Sequence, residues 1–382
     1  MPASLARMGS TSYWLDEPAP PIPQRRLDGP ADVVVVGGGV TGCAAALVLA
    51  EAGLRVRLHE AREIAGGASG RNGGFALRGG AAPYDVTIET IGREHAKRYW
   101  QLTEDALDRL EARAGDAFRR TGSLRLAGDE EERDALAVEL EALRDDGFAA
   151  EWVEEPLGGR FLAAIFHPGD GTLHPARWVR RLAVVAAEAG VEIRQHSRVD
   201  SIDNADADVV LVATDGYPSG LLGRLEGLIV PTRGQMIATE PLSERLFDCP
   251  HYGRHGFDYW QQMPDGRVLA GGFRDSALQD EFTAEEALTP QIQGALETFV
   301  AELVGRPVPV THRWAGIFGL VLDFLPVVGR VPGEERVWVA GGYSGHGNVL
   351  GLLCGELAAR AVLGDADPVL ALLDPGRLVE IT

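Results

Sequence analysis

The run Asp32-Val33-Val34-Val35-Val36-Gly37-Gly38-Gly39-Val40-Thr41-Gly42 constrains this chain more than any other stretch. It reads as a buried strand that turns through a Gly-x-Gly-x-x-Gly loop into a helix. In such a loop Gly37 permits the tight turn, Gly39 lets the backbone approach a pyrophosphate, and Gly42 allows close helix–strand packing. Val40 and Thr41 open the helix, whose free amides and positive dipole end face the phosphates. Gly53 suits the helix stop. A second strand over 54–60 then ends on Glu60, followed by Ala61, where an acid meets a ribose hydroxyl and disfavours a 2′-phosphate. The expected unit is a βαβ dinucleotide site.

Composition is that of an ordinary globular chain: 382 residues, 45% hydrophobic and 24% charged, room for a large core in two lobes. A formal charge of −20 argues against nucleic acid or an anionic membrane as partner. Cys43, Cys249 and Cys354 are few and widely spaced, which implies neither a disulfide framework nor a metal site and fits a reducing cytoplasm. Residues 1–24 lack a signal-peptide core, and no apolar run is long enough for a membrane span.

Residues 1–30, with Pro18, Pro20, Pro21 and Pro23, suggest an extended arm pinned by Tyr13 and Trp14. The loop 66–74 holds five glycines in nine residues, as backbone passing close to a flat or anionic ligand would require. Helical periodicity is expected over 94–114, 129–144, 175–189, from Pro290, and over 348–362. Parallel-type strands are expected at 191–199, 208–214 and 336–340. Stretches 228–239, 257–263, 267–273 and 308–318 favour antiparallel strands. Rossmann-type pieces at the start, middle and end, with other material between them, favour a discontinuous flavin domain over a contiguous nicotinamide domain.

The loop Gly67-Ala68-Ser69-Gly70-Arg71-Asn72-Gly73-Gly74 therefore carries weight together with Pro231-Thr232-Arg233-Gly234-Gln235, Gly271-Gly272-Phe273-Arg274, Asp323-Phe324-Leu325-Pro326 and Gly342-Tyr343-Ser344-Gly345-His346-Gly347. With these the chain resembles the FAD-dependent oxidoreductases related to D-amino-acid, glycine and sarcosine oxidases. Ser12-Tyr13-Trp14 and the Ala-Ser-Gly-Arg-Asn-Gly-Gly loop look nearest to the γ-glutamylputrescine oxidoreductase branch. The resemblance implies an α/β fold: a discontinuous Rossmann-like FAD-binding domain (1–84, 160–226, 325–382) with an inserted α+β substrate domain on an antiparallel sheet (85–159, 227–324). It implies that Gly37, Gly39, Gly42 and Glu60 hold the ADP half of FAD. Ser69, Gly70, Arg71, Asn72 and Gly73 would pass near the pyrophosphate and flavin ring. Val199 would sit at the adenine, Ala213 and Thr214 at the cofactor's edge, and Gly345, His346 and Gly347 at the pyrimidine end of the ring. His346 reads equally as a packing histidine in a tight turn.

The implied reaction oxidises a C–N single bond of an amine or amino acid to an imine, by hydride transfer to flavin N5, with hydrolysis after; oxygen or another electron acceptor completes the cycle. Arg274, then Arg313, are candidate carboxylate forks, though a surface ion-pair partner is the more usual fate of an arginine. Tyr259 and Trp260, with Trp314, are candidates for an apolar wall, or plain core. Gly316 or its neighbours stand where sarcosine-oxidase-like relatives carry an FAD-linking cysteine, and 68–71 has no histidine, so FAD is expected to be non-covalent. Lys97 is the only lysine, in an amphipathic helix, and is not expected over the flavin. The alternatives are a flavin-binding subunit of a heteromeric amine dehydrogenase and a nicotinamide-dependent dehydrogenase.

Overall fold

A computed structural model describes residues 10–381; the first nine residues of the expected arm lie outside them. The valine run forms the strand Ala31–Val36, central in a six-stranded sheet. Strand order is Val327–Arg330, Val337–Gly341, Ala207–Val212, Ala31–Val36, Val56–His59, Glu192–Arg194. All neighbours run parallel except the edge strand Val327–Arg330. Alternation along the central strand sends Val33 and Val35 into one core and Val34 and Val36 into another, so both faces are covered.

On the first face lie the helices Val40–Glu51, Pro175–Glu188 and Gly347–Val362. The crossing of the first and last is close. A Cβ on Gly355 would stand 2.4 Å from the Thr41 carbonyl oxygen, so only glycine fits there. This contact brings two helix N-termini, at Val40 and Gly347, to one place at the carboxyl ends of the parallel strands.

The second sheet has eight strands, in the order Val310–Leu320, Val230–Thr239, Val268–Gly272, Asp258–Gln262, His251–Gly253, Ser123–Ala127, Ala163–His167, Glu151–Glu154. Its pairings are antiparallel except between His251–Gly253 and Ser123–Ala127. The strand Ala163–His167 belongs here, although the expected boundary at 160 assigns it to the cofactor part; it pairs from Ser123↔His167 to Ala127↔Ala163. The helices Arg93–Ala114, Glu130–Asp145 and Pro290–Val304 match the expected periodicity. The expected strand at 191–199 is shorter, ending at Arg194. Beyond it Gln195 turns inward, its Oε1 accepting from the Ile64 amide at 2.8 Å, and His196 takes a left-handed φ of 52°.

The described part of the arm is pinned as expected. Trp14 is fully buried, its indole Nε1 donates to the Asn72 carbonyl at 2.7 Å, and the Ser12 hydroxyl donates to the Gly70 carbonyl at 2.7 Å. Among the described residues no helix is long and apolar enough to cross a membrane, and no cluster suited to a metal ion occurs.

Candidate cofactor and substrate site

Gly37 leaves the central strand at φ +115°, with its α-carbon so near the neighbouring turn that a Cβ would lie 2.5 Å from the Ala213 carbonyl oxygen. The chain then rises into the helix at Val40, whose amide donates to Ser69 Oγ at 3.0 Å. Glu60 bridges the two βα turns: it accepts from the Gly38 amide at 2.6 Å and from the Arg62 amide at 2.7 Å.

Above these turns opens a cavity with about 1250 Å³ of non-atom space, continuous with solvent. His59, Glu60, Ala61, Ser197, Arg198 and Val199 form one end. Gly37, Gly39, Val40, Thr41, Ser69, Ala213 and Thr214 line its middle, and Asn72, Phe318, Gly345, Gly347 and Asn348 its far end. Ala68, Asn72, Phe318, Gly345 and Asn348 also line a second cavity of about 990 Å³, so the two are contiguous.

Beneath the junction Asp215 ties three segments together. Its buried carboxylate accepts from the Gly319 amide at 3.0 Å and the Gly342 amide at 2.8 Å. Burial pushes this carboxyl above its ordinary pKa, partly offset by those amides.

The second cavity lies against the eight-stranded sheet. Tyr252 and Tyr259, cross-strand neighbours, both line it. Burial raises both phenols, Tyr259 to about 12, so they remain protonated donors. Arg274 also lines it, its guanidinium 4.5 Å from the Phe257 ring centroid and 5.7 Å from that of Phe318. No ion pair engages Arg274 among the described residues, and no Asp or Glu lines this cavity. His346 sits on the wall shared with the glycine-rich end; burial pushes it down to about 4, so its imidazole is neutral at pH 7. Its Nδ1 is buried without a hydrogen-bond partner.

Of the residues expected at the cofactor, Gly37, Gly39, Val40, Thr41, Glu60, Ala61, Ser69, Asn72, Val199, Ala213, Thr214, Gly345 and Gly347 line the first cavity. Arg71, Gly73 and His346 line the second instead. Gly42 lines neither; it packs on the Gly37 carbonyl, the close helix–strand contact expected of it. Gly70 is turned away from both cavities, wedged against Leu15 and the Ala65 carbonyl.

Of the substrate candidates, Arg313 is far from the role considered for it. It pairs with Glu297 at 2.6 Å and Gln293 at 3.0 Å, tying its strand to the helix Pro290–Val304. Trp260 is fully buried between Phe247, His251 and Phe299, on the sheet face opposite Tyr259. Trp314 is also core, though its Nε1 steadies the glycine-rich loop by donating to the Arg71 carbonyl at 2.9 Å. Lys97 lines neither cavity; it is half-exposed beside Asp146. Sequence reasoning missed Asp215, Tyr217, Phe318, Tyr343 and Asn348 as lining residues. Asn348 directly follows the Gly345-His346-Gly347 motif and Asp215 lies in the turn after the strand Ala207–Val212; Phe318 and Tyr217 carry no such signal.

The residues present fit FAD. The glycine cradle is too tight for side chains, the Glu60 carboxylate stands at one end of the cavity, and in its middle Thr214 Oγ1 is buried with no hydrogen-bond partner. Residues 32–361 match the family model "DAO: FAD dependent oxidoreductase". The chain is 30% identical over 371 residues to the gamma-glutamylputrescine oxidoreductase of Escherichia coli, covering 88% of this chain and 84% of that one. It is 29% identical over 365 residues to the glycine oxidase of Pseudomonas putida, covering 88% and 96%. The fold is similar to the crystal structure of L-proline dehydrogenase from P. horikoshii (TM-score 0.78, 20% identity, 93% and 99% covered). It is also similar to glycine oxidase from Geobacillus kaustophilus (TM-score 0.72, 23% identity, 91% and 98% covered). A motif at the head of the central strand, a cavity that continues past it to a second chamber, and a match spanning most of the sequence agree: the chain belongs to the DAO family of FAD-dependent oxidoreductases.

Proposed function

We propose that the protein oxidises the C–N bond of an amine that carries a carboxylate, an amino acid or N-substituted amino acid, to the corresponding imine. The observation that carries this reading is Arg274: a guanidinium without an ion-pair partner, in a cavity with no acidic residue, contiguous with the cofactor cavity. An unpaired, half-buried cation facing a chamber attracts an anion, and a guanidinium fork matches a carboxylate with two parallel hydrogen bonds. The relatives named for glycine and for γ-glutamylputrescine act on amines of this general kind.

FAD, when bound, supplies the two-electron acceptor for the C–N bond, and water hydrolyses the imine afterwards. The chain's own residues bind and orient. Arg274 fixes the carboxylate, and the protonated Tyr252 and Tyr259 hydroxyls stand in the same chamber as further donors. Phe75, Leu77 and Phe318 supply an apolar wall that excludes water around the reacting carbon. The neutral His346 adds no positive charge beside the amine. In this reading the cofactor part comprises 1–84, 160–226 without the strand Ala163–His167, and 325–382, the substrate part comprises 85–159, that strand and 227–324, and FAD is held without a covalent bond.

Anaerobic titration of the purified yellow protein with amines and amino acids tests the proposal. Bleaching of the oxidised-flavin band by carboxylate-bearing amines is expected; bleaching by uncharged amines alone, or by none, overturns it.

A further inference from the structure

Residues 281–289 cross from the short helix Leu278–Glu281 to the helix Pro290–Val304 and are tied at both ends to the strand Val230–Thr239. At one end Arg233 and Glu281, both buried, pair at 2.7 and 2.9 Å, and Arg233 also donates to the Glu285 carbonyl at 3.3 Å. At the other, Gln235 Oε1 accepts from the Thr289 amide at 3.0 Å, and Gln235 Nε2 donates to Thr289 Oγ1 at 2.8 Å. The Arg233-Gly234-Gln235 motif thus holds a strap in place.

The middle of the strap presents Glu286 to the cofactor cavity's rim. Glu286 Oε1 accepts from Arg62 Nη1 at 2.8 Å and from the Tyr217 hydroxyl at 2.6 Å; Oε2 lies 3.6 Å from Arg71 Nη1. The Arg62 guanidinium stands 5.2 Å over the Tyr217 ring. Arg62 follows the strand Val56–His59 and Tyr217 follows Ala207–Val212. Those strands flank the central strand on its two sides, and Arg62 and Tyr217 both line the cavity. Arg62, Tyr217 and Glu286 therefore form an arch from one side of the glycine-rich turn to the other.

We infer that Glu286 is the keystone of this arch and sets the rate at which FAD leaves the cavity. FAD beneath the arch departs when the carboxylate releases Arg62 and Tyr217 and the two loops part. The inference rests on FAD occupying the cavity described above and is independent of the substrate.

Release is measured on diluted holoprotein by the recovery of free-flavin fluorescence, alongside thermal melting of each apoprotein. Glu286→Ala is expected to release FAD roughly tenfold faster or more, because hydrogen bonds to a charged group are lost, and Tyr217→Phe severalfold faster. Glu285→Gln removes the same charge from the exposed neighbouring position and is expected to release FAD at the wild-type rate. Apoprotein melting points should stay close to wild type. Wild-type rates in both Glu286→Ala and Tyr217→Phe overturn the inference. So does slower release, which would mean that the freed Arg62 holds the phosphates better, or a rate that tracks apoprotein destabilisation. A wild-type protein that binds no FAD overturns the cavity reading itself.

Discussion

Asn72 and Asn348 exchange hydrogen bonds through their side-chain amides, each Nδ2 donating to the other's Oδ1 at 3.1 Å. The pair joins the glycine-rich loop to the first turn of the helix Gly347–Val362, at the junction of the two cavities. Every polar atom in it is used. Asn72 also donates to the Ala68 carbonyl at 3.1 Å and accepts from the Gly74 amide at 2.8 Å, while Asn348 donates to the Phe75 carbonyl at 2.7 Å. Asn348→Asp would remove both donors and aim a carboxylate at two acceptors. FAD affinity of the apoprotein is expected to fall roughly ten- to a hundredfold, as for loss of buried hydrogen bonds. Titration followed by flavin fluorescence checks this, and an unchanged dissociation constant contradicts it.

Arg274→Met keeps most of the side chain's length and removes the charge. Breaking one half of a desolvated charge pair costs about 2–5 kcal/mol, so apparent affinity for a carboxylate-bearing substrate should drop about thirtyfold or more. The loss should fall on KM or on the Kd of flavin reduction, with kcat changed only severalfold, because the carboxylate keeps its bonds and charge through the reaction. Arg313→Met, which breaks the Glu297 pair instead, should lower stability and leave KM alone. Steady-state kinetics of the two variants separates the roles. Equal effects on KM would show that Arg274 is not the anchor.

The contrast between these arginines marks what the sequence could and could not yield. The place of the Gly37–Gly42 turn, Glu60 and the glycine-rich loops around one cavity was legible because the pattern that marks them is local: particular residues at fixed short spacing. Arg274 and Arg313 look alike in sequence. What separates them is Glu297, sixteen positions before Arg313 and brought beside it by the sheet–helix packing. Glu286 and Tyr217 meet the cofactor rim only through three distant segments, so no spacing announces them. Tyr259 and Trp260 were separable in principle. Adjacent residues of a strand point to opposite faces, and a wall containing both contradicts that alternation.

Stability should fall on acidification well before the carboxylates titrate. Burial holds His251 and His346 down to about 4 in the folded chain, against an ordinary value of 6.5. Between those pH values the unfolded chain takes up protons that the native one refuses. Stability is therefore full above about pH 6.5 and declines towards pH 4, by at most about 1.4 kcal/mol per pH unit for each such histidine. His251 stacks on Trp260 at 5.0 Å with its Nδ1 unpartnered, so phenylalanine suits its place. His251→Phe should melt at a temperature that depends less steeply on pH over this interval. A slope equal to wild type would mean that this histidine does not titrate as described.

FAD should leave the protein when it is precipitated with acid. Covalent attachment needs a nucleophilic side chain within reach of the ring, and no cysteine lines either cavity among the described residues. Cys43, Cys249 and Cys354 are all buried elsewhere, and burial raises their thiols far from the thiolate form, Cys249 to about 12. Two histidines line the cavities. His59 stands at the nucleotide end, its Nδ1 2.9 Å from Ser197 Oγ, away from the chamber where the ring's reactive edge would meet substrate. His346 is the one imidazole at that chamber. Absorbance of the supernatant after precipitation should account for all of the flavin. Flavin retained in the pellet would point to His346, and His346→Ala would then have to release it.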